Sequence, residues 1–186
     1  EIGTEGLWLQ GLAKLPLEQL MECLKQGDDE RLFVIAELFR RGISVEEIHQ
    51  HTKIDRFFLV KINKLIQMEQ NLQENKYSME LLQKAKALGI SDSEIARLWR
   101  ISVDEVYDLR IQHSINPVYK MVDTCAGEFE SETPYFYSTY EQENESDVSS
   151  NKKILVLGSG PIRIGQGIEF DYATVHSVLA IKEMGY

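Results

Sequence analysis

The chain has 186 residues, 43% of them hydrophobic and 27% charged, the make-up of a folded globular protein rather than a disordered one. Thirty acidic against twenty basic side chains leave a formal charge of −10, which argues against a binder that displaces counterions from phosphates with Lys and Arg. No apolar run reaches the roughly 18 residues of a membrane span, Glu1-Ile2-Gly3-Thr4 has no leader character, and Cys23 and Cys125 are too few for a disulfide framework or a zinc site, so a reducing, cytoplasmic setting is expected.

The charge is uneven along the chain: residues 1–115 balance at −4, residues 116–151 at −7 and residues 152–186 at +1. Three regions are expected with those bounds. The first reads as successive helices. Pro16 suits a first helical position, Leu17, Leu20, Met21 and Leu24 form one apolar face, and Gly27 ends the helix. The next helix is expected from Asp29 to Arg41, with Asp28, Asp29 and Glu30 at its start, Arg40 and Arg41 at its end, and Gly42 as its cap.

Two segments then match at an offset of 47 positions: Gly42-Ile43-Ser44 with Gly89-Ile90-Ser91, Ile48 with Ile95, Ile54 with Ile101, Leu59 with Val106 and Ile62 with Leu109. Ser44 with Glu47, and Ser91 with Glu94, have capping-box spacing, and Asp55 and Ser102 are equivalent N-cap candidates. Phe58, Leu59, Ile62, Leu65 and Ile66 are expected to form the buried stripe of the longer following helix. Two related helical units in one small all-α domain follow.

Asn116-Pro117 should stop the last of these helices. Beyond it, Val118 to Val122 and Pro134 to Tyr140 are rich in aromatic and β-forming residues and are expected to lie extended against another surface, with Glu141 to Asn151 as an acidic connector. Ile154-Leu155-Val156-Leu157 reads as a buried parallel strand, followed by a Gly-rich turn from Gly158 to Gly167, a helix from about Asp171 to Met184, and Gly185. One parallel strand needs neighbours, so the polypeptide is expected to be cut from a longer one. The fold class is thus mainly α: a helical domain of two units, an extended aromatic-rich connector, and a single β-turn-α unit.

Several motifs touch chemistry. Ala87 to Arg110 has helix-turn-helix spacing, but Asp104, Glu105 and Asp108 would set three carboxylates beside phosphates, which favours a packed helical pair. Gly158-Ser159-Gly160 lacks the third dinucleotide-binding glycine, since position 163 is Arg163, and Gly165 is followed by Gln166-Gly167 rather than by the Lys-Ser/Thr of a P-loop. Glu169 and Asp171 would oppose a pyrophosphate at the helix start. His49 and His51 point to different helix faces and read as surface histidines. His113 and His176 have no triad partners by spacing, and Cys125, among acidic neighbours, reads as a buried small residue rather than a nucleophile.

Several runs carry a family resemblance. Lys152 to Tyr186, with Gly158-Ser-Gly-Pro-Ile-Arg-Ile-Gly-Gln-Gly-Ile-Glu-Phe-Asp-Tyr172, resembles the opening of the second synthetase half of the carbamoyl-phosphate synthetase large subunit. Pro117 to Lys120 with Val122 to Ala126, and Tyr137 to Glu141, are similar to the stretch just upstream in that family, and Glu1-Ile2-Gly3 is similar to the tail of the first half. The helical region matches mainly by position and pattern, so the resemblance spans essentially the whole chain.

The resemblance implies an oligomerisation domain between the carboxyphosphate-forming and carbamoyl-phosphate-forming halves, then the first strand, turn and helix of a pre-ATP-grasp domain. It implies a parent ligase that uses two ATP, bicarbonate and ammonia, the ammonia released from glutamine by a separate amidotransferase subunit, for arginine and pyrimidine synthesis. The parent's Mg or Mn nucleotide sites, possibly with K, would lie outside this segment, which should hold no catalytic, cofactor-binding or metal residue. Its expected partners are the rest of the large subunit, the small subunit and further copies of the parent, without nucleic acid or membrane. The resemblance further suggests that the Gly-rich turn borders a carbamate passage, with Arg163, Gln166, Gly167 and Glu169 as its lining. The competing readings are an acidic helix-turn-helix regulator and a truncated nucleotide-binding enzyme.

Overall fold

A computed structural model of the chain describes residues 4–131, 135–158 and 169–186, the side chains of 169–171 excepted. It divides into two compact units, Glu1–Ser146 and Asp147–Tyr186.

In the first unit a short 3-10 turn, Leu12–Lys14, precedes seven α-helices: α1 (Leu17–Gln26), α2 (Arg31–Arg40), α3 (Val45–Thr52), α4 (Arg56–Glu74), α5 (Met79–Ala87), α6 (Asp92–Trp99) and α7 (Val103–Gln112). The 47-residue offset is reproduced in the backbone. Helices α3 and α6 begin and end at equivalent positions, as do the starts of α4 and α7. Gly42 and Gly89 turn left-handed at φ 83° and 85°, and Lys53 and Arg100 do so at 58° and 60°. After each glycine the next amide reaches back five residues, Ile43 to Leu38 and Ile90 to Ala85, so that a carbonyl of the last helical turn is satisfied. The repeat is therefore a three-helix unit, α2-α3-α4 and then α5-α6-α7.

Each unit builds its own core. Leu20, Leu24, Val34, Leu38, Ile48, Leu59 and Ile66 belong to the first, and Leu72, Leu82, Ile95, Trp99 and Val106 to the second, all at most 1% exposed. Helix α4, about 28 Å long at 1.5 Å per residue, joins them, since its Leu59 and Ile66 enter one core and its Leu72 the other.

Several expectations need correction. Pro16 is the residue before α1 rather than its first, and Leu17 stays 43% exposed while Leu20 and Leu24 carry the contact. Helix α2 starts at Arg31, because Asp28 Oδ1 accepts the Glu30 amide and holds a turn ahead of it. Phe58 is exposed, its ring edge-on to Phe57, because it falls a step off the line Leu59–Ile62–Ile66 that meets α2 and α3. The Ser44 and Ser91 hydroxyls accept the Glu47 and Glu94 amides, but among the described helices only Ser102 and Glu105 close the reciprocal box. Helix α7 ends at Gln112, before Asn116-Pro117, because Ser114 turns left-handed and the Ile115 amide returns to Arg110.

The two aromatic runs pair with each other. Strands β1 (Val118–Met121) and β2 (Phe136–Thr139) form an antiparallel ladder from Val118 opposite Thr139 to Met121 opposite Phe136. The acidic stretch covers the outer edge of β1: Asn144 Oδ1 accepts the Tyr119 amide, Glu145 Oε2 accepts the Met121 amide, and the Glu145 amide returns to the Tyr119 carbonyl. A paired or covered edge is the usual remedy for exposed strand donors.

In the second unit, helix α8 spans Glu169–Glu183 and Gly185 follows at φ 86°. The run Ile154 to Leu157 is not hydrogen-bonded as a strand, and Leu155 and Leu157 are each 84% exposed. A strand exists by its pairing, and no second strand stands beside this run among the described residues. Val175, Val178 and Leu179 of α8 are exposed as well.

Candidate functional site

The residues expected to line a passage give no geometry: Arg163, Gln166 and Gly167 lie outside the described residues, as does the side chain of Glu169, whose backbone opens α8. The glycine-rich fingerprint lies there too, apart from Gly158.

The structure concentrates charge elsewhere, in two clusters within the helical unit. The first gathers α2, α4 and α6. Arg40 forks onto Glu69, with Nη2 at 2.8 Å and Nε at 3.0 Å from Oε2, and gives another bond from Nη2 to the Leu7 carbonyl. Arg41 pairs with Glu37 at 2.9 Å and also donates to the carbonyls of Leu12, Ala13 and Leu15. Arg97 pairs with Glu94 and lies 5.3 Å from the Trp8 ring. Three guanidiniums thus strap residues 7–15 across both helical units, using the several fixed donors that Arg offers and Lys does not. A polar pocket of about 310 Å³ opens between Trp8, Arg40, Arg41, Glu69 and Arg97. Burial raises the Glu69 carboxyl above the ordinary glutamate range, Arg40 opposes that, and the nearby Glu94 charge adds to it.

The second cluster lies where the hairpin meets the second helical unit. Asp92 Oδ2 accepts 2.6 Å and 2.9 Å bonds from Arg110, and Lys86 Nζ is 2.8 Å from Asp92 Oδ1. Lys86 and Arg110 also donate to the carbonyls of Ile90 and Ile115, and both cations face the Tyr140 ring at 4.9 Å and 5.6 Å. Burial alone would raise the Asp92 pKa, but the bonds and charges of Arg110 and Lys86 outweigh it and hold the carboxyl below the ordinary aspartate range. The aromatic face is electron-rich and favours the two cations, so Tyr140 fastens the chain after β2 to α5 and α7.

In these clusters Arg40, Arg41, Lys86 and Arg110 each join an ion pair and also donate to a backbone carbonyl, so their charge is compensated within the fold. Among the described residues no group of three or more His, Cys, Asp or Glu is arranged to hold a metal ion. His49 differs from expectation: its Nδ1 lies 2.7 Å from the Ile54 carbonyl and, half-buried, it closes the turn between α3 and α4. Cys125 is half-exposed in a turn whose amide bonds Asp123, where a core position was expected, and Cys23 is likewise free. In the helix-turn-helix segment Asp104, Glu105 and Asp108 are exposed, and Glu105 is engaged at the Ser102 amide at 2.8 Å. No helix among the described residues is long and apolar enough to cross a membrane.

Neither cluster was anticipated from the sequence. Arg40 and Arg41 signalled only a helix end, because their carboxylate and carbonyl partners lie up to 33 residues away. A hint existed in Arg110, a charge at a position where the stripe of α7 turns inward.

A family model described as the carbamoyl-phosphate synthetase large chain, oligomerisation domain, matches residues 1–114, more than half of the chain. The chain belongs to the carbamoyl-phosphate synthetase large-chain family. A second model, the carbamoyl phosphate synthase preATP-grasp domain, matches residues 150–186. In this large-chain segment the first match ends at Ser114, the left-handed residue that closes α7, and the β1-β2 hairpin lies between the two matches. Both charge clusters draw their helical partners from the oligomerisation domain, and Tyr140 ties the hairpin to it.

Proposed function

We propose that this chain is the internal joining and assembly segment of a carbamoyl-phosphate synthetase large chain, supporting the reaction without performing it. The observation that carries the reading is the match of the self-capped double helical unit to an oligomerisation domain, with a preATP-grasp match downstream of the hairpin. The exposed apolar side chains that cluster on α4 and α7 support it, since contiguous apolar patches with polar rims mark interaction surfaces.

The parent chemistry under this reading is the formation of carbamoyl phosphate from bicarbonate, ammonia and two ATP in the cytoplasm, for arginine or pyrimidine synthesis. Ammonia would come from an amidotransferase subunit, and Mg or Mn, possibly with K, would serve nucleotide sites on other parts of the large chain. Arg163, Gln166, Gly167 and Glu169 are assigned to the lining of a carbamate passage on the family resemblance of their motif, which sets a glycine that leaves room among polar side chains.

Sedimentation velocity of the 186-residue chain tests the assembly reading. Reversible, concentration-dependent association across the micromolar range is expected, and a single monomeric species at every concentration would overturn it. The passage assignment is tested by Gly167→Phe in the parent enzyme: bicarbonate-dependent ATP hydrolysis should persist while carbamoyl phosphate output falls at least tenfold, and unchanged output removes the assignment.

A further inference from the structure

We propose that two copies of this chain meet by setting the basic, Phe-bearing face of α4 of one against the acidic, Tyr-bearing face of α7 of the other. This rests on the assembly reading and names the surfaces that would execute it.

The repeat itself exposes the pattern. Phe57, Val60, Lys61 and Lys64 occupy i, i+3, i+4 and i+7, one face of α4. At the 47-residue offset the same face of α7 holds Asp104, Tyr107, Asp108 and Ile111. All eight side chains are exposed, including Phe57 at 61% and Tyr107 at 52%. The opposite faces of the two helices have kept one job, since Leu59 and its counterpart Val106 are both fully buried. Their outer faces have diverged to opposite charge around an apolar centre.

That divergence selects the occupant. None of Lys61, Lys64, Asp104 and Asp108 enters an ion pair among the described residues, whereas the neighbouring charges are already engaged: Arg56 forks onto Glu46, and Glu105 caps Ser102. Within the patch, Lys61 Nζ sits 5.2 Å above the Phe57 ring, an arrangement that presents ring and charge together. Two α4 faces would oppose lysine to lysine, and two α7 faces aspartate to aspartate. The α4-to-α7 pairing matches every charge with its opposite and lets Phe57 and Val60 cover Tyr107 and Ile111, the aromatic centre with a charged rim that specific interfaces use.

The test uses the full chain in two variants, Lys61→Glu with Lys64→Glu, and Asp104→Lys with Asp108→Lys, with association followed by sedimentation velocity and helix content by circular dichroism. Each variant alone should self-associate at least tenfold more weakly than the native chain, and an equimolar mixture should recover native association, because both contacts are then complementary again. The second variant is less acidic overall, so its weaker net-charge repulsion would by itself tighten association, and weaker association therefore reports the site. Native strength in either variant, or a mixture no better than its components, overturns the proposal while the assembly reading stands. A native chain that stays monomeric removes both.

Discussion

The two helical units follow one backbone plan and fill it differently. Turn for turn, the left-handed caps at Gly42 and Gly89 and at Lys53 and Arg100 coincide. The contents do not: Lys86, Asp92 and Arg110, the buried ion triad of the second unit, stand where the first has Phe39, Val45 and Asn63, and Trp99 stands where the first has Thr52. Caps and turn glycines therefore specify this fold with little regard for whether a given interior position is apolar or ionic, since a cap acts on its own backbone amides and not on the core.

The largest expected difference between the units lies at the Trp99 and Thr52 pair. Trp99 is 1% exposed, donates 2.9 Å from Nε1 to the Leu72 carbonyl, and packs against Tyr77. Its loss in Trp99→Ala should cost about 3–5 kcal/mol, the range for large aromatic truncation in a core. Thr52 only bridges the Ile48 carbonyl and the Ile54 amide through its hydroxyl, so Thr52→Ala should cost about 1 kcal/mol. Urea denaturation of both variants checks the ratio. Equal costs would mean that the second core does not depend on its indole.

Next comes the triad. Arg110→Ala leaves Asp92 with Lys86 alone in a site 17% exposed at the carboxylate and should cost about 3 kcal/mol at neutral pH. The pH dependence has a definite sign. Because the Asp92 pKa is lowered on folding, its stabilisation is complete above about pH 5 and is lost as pH falls through its folded-state value. Glu69, raised by burial, works the other way and gains protons more readily in the folded chain, so acidification through its range favours folding. The gap in denaturation midpoint between native and Arg110→Ala chains should narrow as pH falls from 7 toward 3, and a constant gap would place the energy of Arg110 in packing rather than in the ion pair.

What the sequence made legible divides along the same line. Local signals, the Ser-x-x-Glu spacing, the glycines after α1, α2 and α5 and the Asp55 and Ser102 caps, were readable because each acts within a few residues of itself. The ion clusters were opaque because Arg40 finds Glu69 from 29 residues away and Arg110 finds Asp92 from 18, distances that only tertiary packing closes. The hairpin fell between these cases. Its strand-forming composition was plain, but Val118 to Val122 and the run ending at Tyr140 carry no turn signal that points each to the other across a long loop. Phe58 shows the converse error, an apolar residue assigned to a core because periodicity cannot tell an inner face from a sticky outer one. For Arg163, Gln166 and Gly167 the family motif remains the only guide.

The smallest effect sharpens the comparison most, because it asks whether the shared plan is energetically shared. Gly42 and Gly89 have φ within 2° of each other, and a methyl added at either meets nothing within 4 Å. Alanine at these positions therefore feels the left-handed backbone and nothing else, a cost of roughly 1 kcal/mol that a stiffer unfolded chain partly offsets. Gly42→Ala and Gly89→Ala should shift the denaturation midpoint by nearly the same small amount, and their double variant should be additive, since the two turns belong to separate cores. If instead one glycine costs several times the other, the turns are carrying different loads despite their matched angles. The unit with the dearer turn would then be the one whose helices depend on it for their angle of approach.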